Sequence, residues 1–273
     1  MQEFEHQIKE VTEVIESAKA DKPASHMSKK YVFFSTQEII EELRKLGWVL
    51  TKQSEVKLRK GGKNYQNRLG KQRHLLIFEN PNFTIEHEGI LEGKINICIR
   101  NSHDGGGCLE IFFGFMRIFC ANQIFSKSLG EGNVLKLRHS QNYKEEFKNL
   151  IKNFIPLIET YQKQIIGLKS KVLNDSQILH FAQEAIKARF GNMSTVQSCL
   201  DVQSILNYKR PEDEGTNAWV VFNKVQENLV QGGIEYQTTD KKGKPVTRKT
   251  RKLQSINSLI AFNDFLYQLI ISL

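Results

Sequence analysis

Cysteine is scarce in this chain. Cys98, Cys108, Cys120 and Cys199 are the only four in 273 residues, and no two form a CxxC pair. That spacing lacks the pattern of a zinc site or a redox dithiol and fits a reduced setting, with the thiols acting as small core residues. No apolar run approaches the roughly 18 residues that a membrane-spanning helix needs, so no membrane partner is expected. The N-terminus, "MQEFEHQIKEVTEVIES", is acidic and amphipathic and reads as neither a signal nor a transit peptide. HExxH, GxSxG, GxxxxGKS/T and acidic clusters at motif spacing are all missing. Those absences count against a hydrolase or nuclease, and neither a cofactor nor a metal is expected.

What is present is positive charge, +9 in net with a pI near 9.3. Residues 52–73, "KQSEVKLRKGGKNYQNRLGKQR", hold eight Lys/Arg against one Glu, and residues 241–252, "KKGKPVTRKTRK", hold seven against none. These two stretches account for the excess. A polyanion is the partner such clustering suits, and in a cytoplasmic setting that means nucleic acid.

Residues 2–20 place Phe4, Ile8, Val11 and Ile15 on one helical stripe that Asp21-Lys22-Pro23 ends. Residues 1–25 are thus expected to form an amphipathic helix and its linker, docked on the body of the molecule. In "YVFFSTQEIIEELRKLGW" Ser35 and Glu38 have capping-box spacing, Ile39, Ile40, Leu43 and Leu46 form a buried stripe, and Gly47 stops the helix. "WVLTKQSEVKLRK", "KQRHLLIFEN" and "GKINICIRN" predict three antiparallel strands, the first two joined through Gly61-Gly62. From Cys108 to Ala121 nearly every residue is apolar, which predicts a helix buried almost all round.

Beyond residue 130 the pattern is helical. Tyr143, Phe147, Leu150, Ile151, Phe154, Ile158 and Ile165 share a face that Pro156 should kink. Asp175 and Gly191 bracket a second helix, a third spans 217–231, and an apolar helix follows the basic hairpin at 234–252. The expected fold class is α+β: a three-stranded antiparallel sheet with a buried helix packed across it, followed by a helical region and a basic β-hairpin. Residues 26–273 read as a single α+β domain, with the sheet-and-helix core over 26–130 and the helical part over 131–273.

The segment "IRNSHDGGGCLEIFFGFMRIFCANQIF" admits three readings. Asn, Asp and Gly suit a tight turn out of the sheet, with Asp104 capping the next helix. Backbone N–H groups there can hold a phosphate. His103 and Asp104 can act as a general-base pair, although adjacent strand residues point opposite ways. Arg117 reads as the ion-pair partner of Glu110 or as a phosphate clamp. The stripe Asn223, Gln226, Glu227 reads as a solvated helix face, or as amides that hold the hairpin or contact base edges.

Three strings, N-S-H-D-G, R-x-F-C-x-N and W-x-x-F-N-x-x-Q-E-N, occur in order over residues 26–273. Together they resemble a phage/plasmid-like protein family carrying a domain of unknown function (domain of unknown function 932). Where that family usually has a small residue or serine after N-S-H-D-G, this chain has Gly106-Gly107. The resemblance implies a mobile-element setting inside a bacterial cell and no activity that carries over. A helix, three strands and a second helix are also similar in topology to the core of single-strand annealing recombinases.

The expected function is nucleic-acid binding, with single-stranded DNA binding or annealing as its finer form. Lys52, Lys57, Arg59, Lys60, Lys63, Arg68, Lys71 and Arg73 would contact phosphates, as would Lys241, Lys242, Lys244, Arg248, Lys249 and Arg251. Tyr65 and Tyr236, with Trp48 nearby in sequence, would offer stacking surfaces. A homo-oligomer and a host-protein partner are compatible with the same surface. Two alternatives stay open: an interaction module acting on a host defence complex, and a nucleic-acid-processing enzyme using His103, Asp104 and Arg117.

Overall fold

The computed structural model describes residues 9–273 apart from 63, 88–89, 118–122, 126–133, 140–142, 153, 192–195 and 197–198. The chain forms two compact units, residues 1–123 with 132–158 and residues 124–131 with 159–273.

The first unit is built on an antiparallel sheet. Strands β1 (Val49–Glu55), β2 (His74–His87), β3 (Ile90–Asn101) and β4 (Leu109–Arg117) pair in chain order, and β6 (Val134–Leu137) pairs with β4. A three-residue strand, β5 (Gln123–Phe125), joins the same sheet. The expected three-stranded sheet is therefore larger.

Alternation along "KINICIR" puts Ile95, Ile97 and Ile99 on one face, opposite Phe115, Phe113 and Ile111 of β4. All six are essentially inaccessible. The same face carries His74 and Asn101, which hydrogen-bond Thr36 at the start of helix α2 (Thr36–Lys45). Ser35 caps α2 by accepting the Glu38 N–H, as its spacing predicts. Ile39, Ile40 and Leu43 of α2 are fully buried, each burial contributing on the order of 2 kcal/mol. Gly93 leaves room for a neighbour: a Cβ there would lie 2.3 Å from Cζ of Phe115, whose ring covers the bare backbone.

Residues 109–117 form the strand β4, where the sequence predicts a buried helix. Apart from Glu110 and Arg117 both faces of β4 are apolar, and all but Met116 is buried, so the run shows neither the helical nor the strand period. The content of Ile and Phe favours a strand, a preference that the length of the run masks. With that helix gone, the likeness to annealing recombinases loses its topological basis.

The predicted N-terminal helix also differs. Among the described residues it is confined to α1 (Glu16–Lys19), and Val11 donates its N–H to the Leu50 carbonyl at 2.8 Å. The segment reaches the sheet as extended chain, with Val14 buried; Phe4 and Ile8 lie outside the described residues. Helix α4 (Tyr143–Lys152) and the opening of α5 (Phe154–Ser170) complete this unit. Pro156 falls in the first turn of α5, where a missing N–H costs nothing. Of the cysteines, Cys98 is buried and burial pushes its thiol up, Cys108 is partly exposed and Cys199 exposed. Cys120 lies outside the described residues.

The second unit is helical, with α6 (Asp175–Phe190), α7 (Val202–Leu206), α8 (Ala218–Gln231) and α9 (Ile256–Ser272). Asn174 rather than Asp175 caps α6, in a reciprocal box with Gln177. The ribbon of β7 (Glu235–Thr239) and β8 (Pro245–Lys249) stands where the hairpin is predicted. The polar stripe of α8 is not a solvated face. Asn223, Gln226 and Asn228 are buried. Gln226 donates to Asn263 of α9 at 3.1 Å, and Asn228 donates to the carbonyls of Ile205 and Asn207. Glu227 takes a two-pronged bond from Arg210 at 2.6 and 2.8 Å. These groups hold helices and loops together.

Candidate nucleic-acid interface

β1 and β2 are joined by a long connection over residues 56–73. Gly61 takes a left-handed φ of +77° at a turn closed by the Gly62 N–H on the Arg59 carbonyl, and Asn64 precedes the short helix α3 (Tyr65–Arg68). Strand pairing ends near Glu55, so the predicted strand through Lys60 is shorter in the structure. Lys57, Arg59 and Lys60 are exposed on this connection, and Tyr65 is half-buried. Lys63 lies outside the described residues. Trp48 offers no free face: it is buried and stacked on Phe83.

The far end of the connection is welded to the loop Asn101–Cys108 between β3 and β4. His103 donates its N–H to the Lys71 carbonyl at 2.8 Å, and Arg68 Nε meets the Asp104 carboxylate at 2.7 Å. Asp104 also accepts the Gly106 N–H, an Asx turn rather than a helix cap. Gly105 has φ +75°, which favours glycine there. The Arg73 guanidinium lies over Gly107, 3.1 Å from where a Cβ would stand. The loop thus turns the chain from strand to strand. Arg68 is committed to the buried Asp104 side chain, whereas Lys71 and Arg73 have no ion pair among the described residues.

His103 does not pair with Asp104. Its ring points into the interior beside Thr36, His74 and Phe33. His74 Nδ1–H donates to the Gln72 carbonyl at 3.1 Å, which leaves Nε2 to accept the Thr36 hydroxyl at 3.0 Å. Thr36 Oγ1 in turn receives Asn101 Nδ2 at 3.0 Å and, to complete its capacity, the Nε2–H of His103 at 3.2 Å. His139 donates Nδ1–H to the Val32 carbonyl and stacks on Tyr31, whose hydroxyl donates to the Ser102 carbonyl. Burial is the largest cause holding all three histidines below the ordinary imidazole range, His74 at about 4 and His103 at about 3. Neighbouring His74, His139 and Lys71 depress His103 further, and burial raises the Tyr31 phenol. Each neutral imidazole is tied through one ring nitrogen or two, with His103 Nδ1 and His139 Nε2 buried without a hydrogen-bond partner, and these bonds serve the loop's position. Thr36, His74 and His139 escape a sequence reading because nothing in their spacing announces a shared site.

Arg117 and Glu110 are not partners. Seven residues apart in an unbroken strand register, they project from opposite faces of the sheet. Glu110 instead pairs with Arg100, directly across on β3, and with Lys136 of β6 at 3.6 Å.

In the second unit, Lys241, Lys242 and Lys244 stand exposed at the ribbon's tip, where Asp240 accepts backbone N–H groups from Lys242 and Lys244. Tyr236 lies directly across from Arg248, and Lys249 pairs with Glu235 at 3.2 Å. At the base, Arg189 of α6 donates to the carbonyls of Leu229 and Arg251.

The architecture defines a mixed sheet-and-helix protein with a helical second unit; N-S-H-D-G forms the loop between β3 and β4, W-x-x-F-N-x-x-Q-E-N lies on α8, and R-x-F-C-x-N beyond Arg117 lies outside the described residues. Residues 23–259 match the family described as Domain of unknown function (DUF932), and the chain belongs to it. It is similar to two Escherichia coli K12 proteins, UPF0380 protein YafZ and UPF0380 protein YfjQ. Each is 23% identical over 245 residues, covering 89% of this chain and 83% of the relative. No solved structure matches the chain. Among the described residues no helix is long and apolar enough to cross a membrane.

Proposed function

We propose that the protein binds nucleic acid through its two basic segments, in the manner of a DNA-binding protein of a phage, plasmid or other mobile element acting in the bacterial cytoplasm. One observation supports this reading above others. Lys57, Arg59, Lys60, Lys71 and Arg73 in the first unit, and Lys241, Lys242, Lys244, Arg248 and Arg251 in the second, reach the surface without an ion pair among the described residues. Uncompensated cations on built elements attract phosphates and release condensed counterions when they bind. Lys52 adds to the set, its ammonium reaching the Met116 sulfur at 3.6 Å with no ion pair among the described residues. Single-strand binding or annealing is the finer form, favoured by Tyr65 and Tyr236, which offer aromatic surface beside cations.

Titration of single- and double-stranded oligonucleotides at about 50 and 200 mM salt tests the proposal. Neutralising roughly six to ten phosphates weakens binding by about 10³–10⁵-fold between those conditions. A flat response, or no binding at low salt, overturns it and points to a protein partner. Particle mass measured alongside reports self-association.

A further inference from the structure

The second unit holds a cavity of about 700 Å³ beside the ribbon. Arg189, Phe190 and Val196 form one wall, and Tyr236, Arg248 and Arg251 form the other. The volume falls in the range of small-ligand sites. A duplex does not enter such a space, whereas one nucleotide does. Among the described residues no acidic side chain lines it, although Lys249, which does line it, pairs with Glu235 at 3.2 Å.

The walls are built rather than incidental. Gly233 donates to the Thr250 carbonyl at 2.8 Å, Thr250 donates to Ile234 at 2.9 Å, and Ile234 donates back to Thr250 Oγ1 at 3.1 Å. Gly232 lies so close to the Arg251 backbone that a Cβ would stand 2.7 Å from it. Arg189 sits with its guanidinium carbon 4.8 Å from the centre of the Phe190 ring while donating to the Arg251 carbonyl at 3.0 Å. The buried Phe190 and Val196 make the first wall apolar, and Tyr236 adds aromatic surface to the second, directly across the ribbon from Arg248.

We infer that this cavity receives one nucleotide of a single strand, with its base against Tyr236 and its phosphate on Arg248 and Arg251. The inference rests on the nucleic-acid reading and assigns it a site and a strandedness. Arg189, which already spends two donors on carbonyls, is a positioning residue that holds the wall.

The test uses the full chain, a short labelled oligothymidine, and an abasic oligomer with the same number of phosphates. Stacking of one base makes the thymidine strand bind about 5- to 100-fold more tightly than the abasic one. Tyr236→Ala removes most of that ratio, Tyr236→Phe keeps it, and Arg251→Gln weakens both oligomers together. Equal affinity for the two oligomers in the unaltered protein overturns the cavity assignment while leaving nucleic-acid binding standing. So does a ratio that survives Tyr236→Ala. Failure of both oligomers to bind at low salt overturns the wider proposal instead.

Discussion

The two basic segments look alike in composition and differ in how they are held. The connection over residues 56–73 is stitched to the N-S-H-D-G loop by an ion pair and backbone bonds, so part of its charge serves the fold. Among the described residues the ribbon of β7 and β8 is fixed at its base, and it lends almost all of its charge to the surface. Equal charge therefore does not mean equal availability. Arg68 shows this most clearly, since it neutralises a carboxylate with no exposed surface of its own.

That contrast can be broken experimentally. Replacing Lys241, Lys242, Lys244 and Arg248 together by Gln should lower oligonucleotide affinity by about 10²–10³-fold at roughly 0.1 M salt and flatten the salt slope. Its melting temperature should stay near that of the parent, because all four side chains are exposed. Arg68→Ala should do the reverse, costing about 2 kcal/mol of stability by chemical denaturation, with less than about tenfold loss of affinity. A large affinity loss in Arg68→Ala with no change in stability would erase the distinction.

Acid should reveal the histidine network. The folded first unit holds His74 at about 4 and His103 at about 3, both below the ordinary value. The unfolded chain takes up those protons below about pH 6.5. The folded state refuses them, so stability is whole above that pH and falls as pH drops toward those values. Thermal melts across that window should decline steadily, and His103→Gln should shallow the decline. The smallest effect belongs to the ribbon: Glu235→Gln removes an exposed ion pair and should shift stability by less than about 1 kcal/mol.

Much of this molecule is legible from its residues. The Ser35 cap, the three strands through Asn101, helix α8 and the ribbon of β7 and β8 all follow from local spacing and turn chemistry. The misreadings share a physical cause. Residues 109–117 are apolar on both faces apart from Glu110 and Arg117 because β4 is an inner strand paired on two sides, and burial from both faces erases periodicity. The polar stripe of α8 is buried because its amides meet carbonyls from α7 and an amide of α9, partners that no local window contains. Thr36, His74 and His103 come from three separate elements and meet only in the folded unit.

The bare backbone at Gly93 has a consequence for strand register. Sliding β4 by two residues along β3 would keep every side chain on its proper side, so alternation alone cannot forbid it. The Phe115 ring forbids it: shifted either way, it would meet a residue bearing a Cβ where it now finds a gap. One glycine thus acts as a keyway, choosing among alignments that hydrophobic patterning leaves degenerate.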